Sequence, residues 1–237
     1  MKLVLFIFAF AGMIAPSSAA YGQNVRGCNS WPDVPVYIHT VFDAPRYDLS
    51  QNLAGLQEMT RGRREMIPQY HSLTMGVTRY EPVIEFHVPV QVEQLPDGIG
   101  CAYVQHVEVT MGYRDVTIFV ASEIPQNSCG FSETMAHEHK HIEANREVLD
   151  KFEHQIEARF KAYLRLNGVF RVQNTAYAER LLHDKLKAII NDVVEKMSVE
   201  NARRQREVDT REEYTRLANA CNGELSRIAQ DYRIKRR

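Results

Sequence analysis

Several features that would announce a function are scarce in this 237-residue chain. It lacks charge of one sign: 29 Lys and Arg are offset by 30 Asp and Glu, for a net charge of −1. Without a basic stripe to meet phosphates, nothing points to nucleic acid as a partner, and none is expected. Long hydrophobic runs are missing too. The N-terminal run, Leu3 to Ile14, falls short of the about twenty apolar residues that a membrane-spanning helix needs. There is one Trp, no low-complexity tract and no repeat at solenoid period. The four cysteines include no two that lie two to four residues apart, which excludes a cysteine-based zinc knuckle.

A hydrophobic fraction of 44 % and a charged fraction of 25 % are ordinary globular values and suit one sizeable core. Lys2, the short apolar run and the small residues Pro16-Ser17-Ser18-Ala19-Ala20 read as a secretory signal peptide over 1–20. The expectation is therefore a periplasmic or secreted protein with no membrane span after cleavage, and a single domain over 21–237. In an oxidising compartment Cys28, Cys101, Cys129 and Cys221 can form two disulfides, with three possible pairings. Cys101 and Cys129 flank one β-rich stretch, which favours joining them and leaves Cys28 for Cys221. Oligomeric state is not readable.

The chain changes character near residue 131. Before it, over 21–130, period-two patterns and turn residues dominate. Ile84, Phe86, Val88, Val90 and Val92 alternate with polar residues as in a half-buried strand, with Pro89 marking an edge or bulge. Ala102 to Met111, Val116 to Val120 and Val34 to Val41 read as further strands, and Ser50 as the cap of a helix from about Gln51 to Glu65. After it, over 131–237, long helical patterns follow. One helix is expected from a cap at Ser132 to Leu166, with Asn167-Gly168 as the stop, and a second from Thr175. The fold class expected is α+β: an antiparallel N-terminal sheet followed by two long antiparallel helices, zincin-like. Four of the last five residues, Arg233 to Arg237, are cationic, which is ordinary for a solvated terminus.

The chemistry concentrates at His137-Glu138-His139-Lys140-His141, where His137, Glu138 and His141 satisfy H-E-x-x-H. Four residues apart on a helix, two imidazoles can reach one tetrahedral zinc while the carboxylate between them faces the open side. The pattern points to a metallopeptidase: His137 and His141 as ligands, Zn2+ as cofactor, Glu138 as general base, and a peptide or protein as substrate. The alternative is a non-catalytic, zinc-stabilised periplasmic binding or structural protein. Two histidines leave zinc one protein ligand short. Glu147 and Ala144 stand where an extended zincin pattern would need His and Gly. In a helical hairpin, residues 137–141 lie opposite about 200–204, which brings Glu200, Glu207 or Asp209 near and leaves Glu179 roughly 30 Å away.

Tyr47-Asp48-Leu49-Ser50, Gly100-Cys101, Ala136 to His141 and Val208-Asp209-Thr210-Arg211-Glu212-Glu213-Tyr214 together resemble a bacterial domain family regarded as predicted secreted zinc-dependent proteases. The family's usual tyrosine before the aspartate is Val208 here, and its Thr-x-His-Gly sequence is missing. The resemblance implies Asp209 as the third metal ligand, in agreement with the hairpin register.

Overall fold

The computed structural model describes residues 27–28, 33–61 and 73–235. The signal-peptide reading, the end of the first expected helix beyond Arg61, His71, Arg236 and Arg237 lie outside them. The order of elements is β1 (Val36–Phe42), β2 (Arg46–Asp48), α1 (Leu53–Thr60), β3 (Gly76–His87), β4 (Val90–Gln94), β5 (Gly100–Val104), β6 (Val107–Val120), α2 (Cys129–Asn167), β7 (Val169–Val172), α3 (Thr175–Val208) and α4 (Arg211–Lys235). A β-rich first half and a helical second half match the α+β expectation. Among the described residues no helix is long and apolar enough to cross a membrane.

The larger sheet is mixed, not antiparallel. β6 is its central strand, with β1 and β2 pairing parallel along one side and β3 antiparallel along the other. Alternation of apolar residues reports which face is buried but not the direction of a neighbour. The strand expected over Ala102 to Met111 is divided between β5 and β6, and the one expected over Val116 to Val120 is the far end of β6. Tyr113-Arg114-Asp115 resembles a turn, yet the strand passes through it with Asp115 at φ 50, where β3 shifts register between Arg79 and Glu81. Gly112, at φ 145, is required there: a Cβ would lie 1.8 Å from the Val41 carbonyl oxygen of β1. The strand expected through Pro89 is cut at that residue into β3 and β4, which belong to different sheets. β4, β5 and β7 form a small antiparallel sheet, and Ile84 is exposed.

α1 is capped by Asn52, whose side chain accepts from the Gly55 amide, and Ser50 instead bonds Asp48. α2 is capped four residues before the expected position, by Ser128, whose Oγ accepts from the Phe131 amide at 3.1 Å. It ends at Gly168 as expected. A Cβ there would meet the Leu164 carbonyl and Val34 at 2.8 Å. α3, capped by Asn174, folds back along α2. The pairs Arg159–Asp192, Lys151–Glu200 and Arg204–Glu147 fix the antiparallel register. One core joins both halves, including Val109, Met111 and Ile118 of β6 and Phe152, Ile156, Phe160, Leu182 and Leu186 of the helices. The helical half holds a third helix, α4, beyond the two expected.

The disulfides correct the favoured pairing: Cys28 joins Cys101, and Cys129 joins Cys221. Cys129 is the first residue of α2, and Cys221 lies where α4 bends through positive φ at Cys221, Asn222 and Gly223. The nearness in sequence that favoured Cys101 with Cys129 is outweighed by α2, which carries Cys129 away from β5 and onto α4.

Candidate metal centre

α2 brings His137 and His141 onto one face a turn apart, as positions i and i+4 require. Both turn toward the junction of α3 and α4. Asp209 terminates α3 with non-helical φ/ψ, and Thr210 starts α4 by accepting the Glu213 amide on its Oγ1 at 3.1 Å. The stretch Thr210-x-x-Glu213 is a capping sequence that breaks one long helix into two. That break aims the Asp209 carboxylate at α2.

Three atoms converge there. His137 Nε2 lies 3.3 Å from His141 Nε2, and Asp209 Oδ1 lies 3.4 and 3.3 Å from them respectively. Around a tetrahedral zinc with bonds of about 2.0–2.1 Å, neighbouring ligand atoms stand about 3.3–3.4 Å apart. The residues present therefore fit a zinc ion, with one vertex left over. The electrostatics point the same way. Burial alone would lower the His141 pKa, but its hydrogen bond to Asp209, with the charges of Glu138 and Asp209, pushes it up to about 9. Burial likewise opposes the Asp209 charge, and hydrogen bonds from His137 and His141 still hold its carboxyl well below the usual range. The pocket favours a positive charge at its centre.

Glu138 is 4 % exposed and within 4.8 Å of both imidazoles. It projects toward β3, where Thr78 Oγ1 donates to Oε2 at 2.8 Å. Gly76 of β3 leaves room for it: a Cβ there would sit 2.6 Å from Oε1. The Glu138 carboxylate is thus tied to β3 and stands beside the tight His–His–Asp triangle.

No family model, curated protein or solved structure matches the chain.

Around the triangle, His137 Nδ1 faces Glu213 Oε1 at 3.4 Å. Glu213 also accepts from Lys140 and from Arg216, and Arg216 first, then Lys140 and His137, hold its carboxyl down at about 2 against burial. Asp209 Oδ1 accepts from the Tyr214 hydroxyl. His141 Nδ1 meets Gln205 Oε1 at 2.5 Å. His139 points the other way, to the Tyr47 hydroxyl at 3.2 Å.

Of the residues read from sequence, His137, Glu138, His141 and Asp209 come together. Glu200 and Glu207 do not; they pair with Lys151, Arg203 and Arg204 on the helix exterior. Glu147 pairs with Arg204, and Glu179 is exposed in the first turns of α3, at the end far from Asp209. Histidines 39, 87 and 154 are exposed, His106 lies beside Glu108, and His183 stacks on Phe86. Gln205, Glu213, Thr78, Gly76 and Tyr214 complete the site without being expected from sequence as site residues. Gln205 alone carried a signal, since it lies one turn before Asp209 on the face opposite His141.

Proposed function

We propose that the chain is an exported zinc-dependent peptidase, periplasmic or secreted, acting on peptide or protein substrates. The observation that carries this reading is the 3.3–3.4 Å triangle of His137 Nε2, His141 Nε2 and Asp209 Oδ1 with the Glu138 carboxylate beside it. His137, His141 and Asp209 would hold Zn2+. When bound, zinc supplies a Lewis acid that activates water and polarises a carbonyl. Glu138 removes the proton of the attacking water and passes it to the leaving amine as the peptide bond breaks. The Thr78 hydroxyl leaves one Glu138 oxygen engaged and fixes the direction of the other. Both disulfides suit an oxidising compartment, and the zincin-like description rests on the same residues.

A second reading, a non-catalytic zinc-stabilised binding or structural protein, draws on a different feature. His137 and His141 belong to α2 and Asp209 to the α3–α4 junction, so a metal would staple three helices. Metal content and a peptidase screen separate the readings. One zinc per chain is expected in the wild type and none in His141→Ala. Glu138→Gln is expected to keep zinc and lose hydrolysis by about 100- to 10,000-fold. A Glu138→Gln protein that keeps full function favours the structural reading; a wild type that takes up no zinc sinks both.

A further inference from the structure

Gln205 sits where α3 faces the site end of α2, and every polar atom of its side chain is engaged. Its Oε1 meets His141 Nδ1 at 2.5 Å. Its Nε2 has three carbonyl-type acceptors in reach: the His141 backbone oxygen at 3.3 Å, Asn145 Oδ1 at 3.1 Å and Asn201 Oδ1 at 3.2 Å. Asn201 in turn donates through Nδ2 to the Tyr80 hydroxyl at 3.2 Å.

A side-chain amide can be turned end for end, so its orientation must be argued from its partners. Here the partners decide it. Asn145 and Asn201 could each rotate their own amides to suit a turned Gln205. The His141 backbone carbonyl cannot; it only accepts, and a turned Gln205 would set oxygen against oxygen at 3.3 Å. That carbonyl therefore requires the amide nitrogen on its side, which puts Oε1 opposite His141 Nδ1. An oxygen there can only accept, so Nδ1 must carry the proton.

Asn145 adds an independent observation. It is 1 % exposed, its Oδ1 is turned to Gln205, and its Nδ2 has no hydrogen-bond partner among the described residues. A buried amide N–H without an acceptor is unfavourable. Asn145 keeps that orientation because its oxygen helps hold Gln205.

We propose that Gln205 is a positioning residue for the metal centre: it holds the His141 proton on Nδ1 and so commits Nε2, the atom facing His137 and Asp209, to act as a ligand. The inference rests on the zinc reading above, but its first test does not need metal. Gln205 differs from Glu213, which faces Nδ1 of the other histidine, in being neutral. It orients His141 without adding negative charge beside the centre.

The test uses the full chain labelled with 15N-histidine, as wild type, Gln205→Met, which matches the length of Gln but neither donates nor accepts as an amide does, and Gln205→Glu, which restores an acceptor. In the metal-free wild type the His141 Nδ1 proton gives a resonance protected from exchange with water. It is lost in Gln205→Met and present in Gln205→Glu. Zinc affinity by chelator competition falls about 10- to 100-fold in Gln205→Met and recovers only in part in Gln205→Glu, whose second oxygen can be met by the Asn145 Nδ2 but also faces the His141 backbone carbonyl. A wild type without the protected Nδ1 proton overturns the proposal, and this needs no variant to fold. So does zinc binding that is indifferent to Gln205→Met. A wild type that shows the protected proton but binds no zinc overturns the metal reading itself, and with it the purpose assigned to Gln205.

Discussion

Residues 134–145 and residues 148–164 lie on one continuous helix and bury different chemistry. Among the described residues, the buried polar side chains are Thr134, His137, Glu138 and Asn145, all in the first stretch. The second buries Val148, Leu149, Phe152, Ile156, Phe160 and Leu164. An unpartnered buried polar group costs about 1–3 kcal/mol, and even a partnered one gains little over water. The first stretch therefore stabilises the fold poorly for its degree of burial. Its partners, Thr78, Gln205, Asp209 and Glu213, come from β3, α3 and α4. Apart from Ile142 and Ala144, the first stretch buries polar groups that draw three other elements together, as the proposed chemistry would require, and the apolar stretch supplies most of the packing.

The largest effects come from exchanging these roles. Phe160 is fully buried in the core. Phe160→Ala should lower unfolding free energy by about 3–5 kcal/mol in denaturant titration while the folded fraction keeps its zinc and its rate per molecule. Glu138→Gln, on the same helix, should do the reverse, removing turnover with no loss of stability. If Phe160→Ala also empties the site, the two stretches are not separable and the contrast between them fails.

The disulfides sharpen the comparison at lower cost. Each closes a long segment, with sequence separations of 73 and 92 residues, and removing either should destabilise by about 2–4 kcal/mol. Only Cys129–Cys221 joins the start of α2 to α4, the helix that carries Glu213 and Tyr214. There Glu224, near the bend, also accepts from the Gly130 amide at 2.8 Å. Zinc titration of Cys129→Ser/Cys221→Ser should show weakened binding. Cys28→Ser/Cys101→Ser, remote from the site, should lose stability and keep zinc affinity.

What could be read from sequence follows the same division. Features that depend on local spacing were legible. The imidazoles at 137 and 141 share a face by helical periodicity and Gly168 ends α2, whereas the expected hairpin register is displaced, since Glu200 and Arg204 face Lys151 and Glu147 rather than 137–141, and Asp209 is singled out by the family resemblance. Features that depend on which distant segment arrives next to which were not. The direction of β1 against β6, the partner of each cysteine and the seat of Glu138 on β3 have no signature in their own neighbourhoods. Ser132 and Ser128 are equally good caps by residue type, and the choice between them rests on contacts of the helix start with α4. Gln205 carries no charge to mark it as a neighbour of a metal, and only its position one turn before Asp209 connects it with the site.

Gly76→Ala tests the smallest of these long-range dependencies. A Cβ at position 76 would lie 2.6 Å from Glu138 Oε1, 2.9 Å from Glu138 Cγ and 2.9 Å from Thr134 Cγ2. Both neighbours are buried, at 4 % and 5 % exposure, so neither can swing into solvent. The added methyl must move the Glu138 carboxylate or push β3 from α2, at about 1–3 kcal/mol of stability. Because His137, His141 and Asp209 do not touch Gly76, zinc stoichiometry should be unchanged. Turnover should fall by up to about 100-fold, since a base displaced by roughly 1 Å loses its alignment. Steady-state kinetics should place the loss in kcat rather than KM, because the displaced group takes part in proton transfer and not in holding substrate. An unchanged kcat with bound zinc would mean that the seat on β3 serves packing alone, and Glu138 would then belong with the apolar stretch as a structural residue.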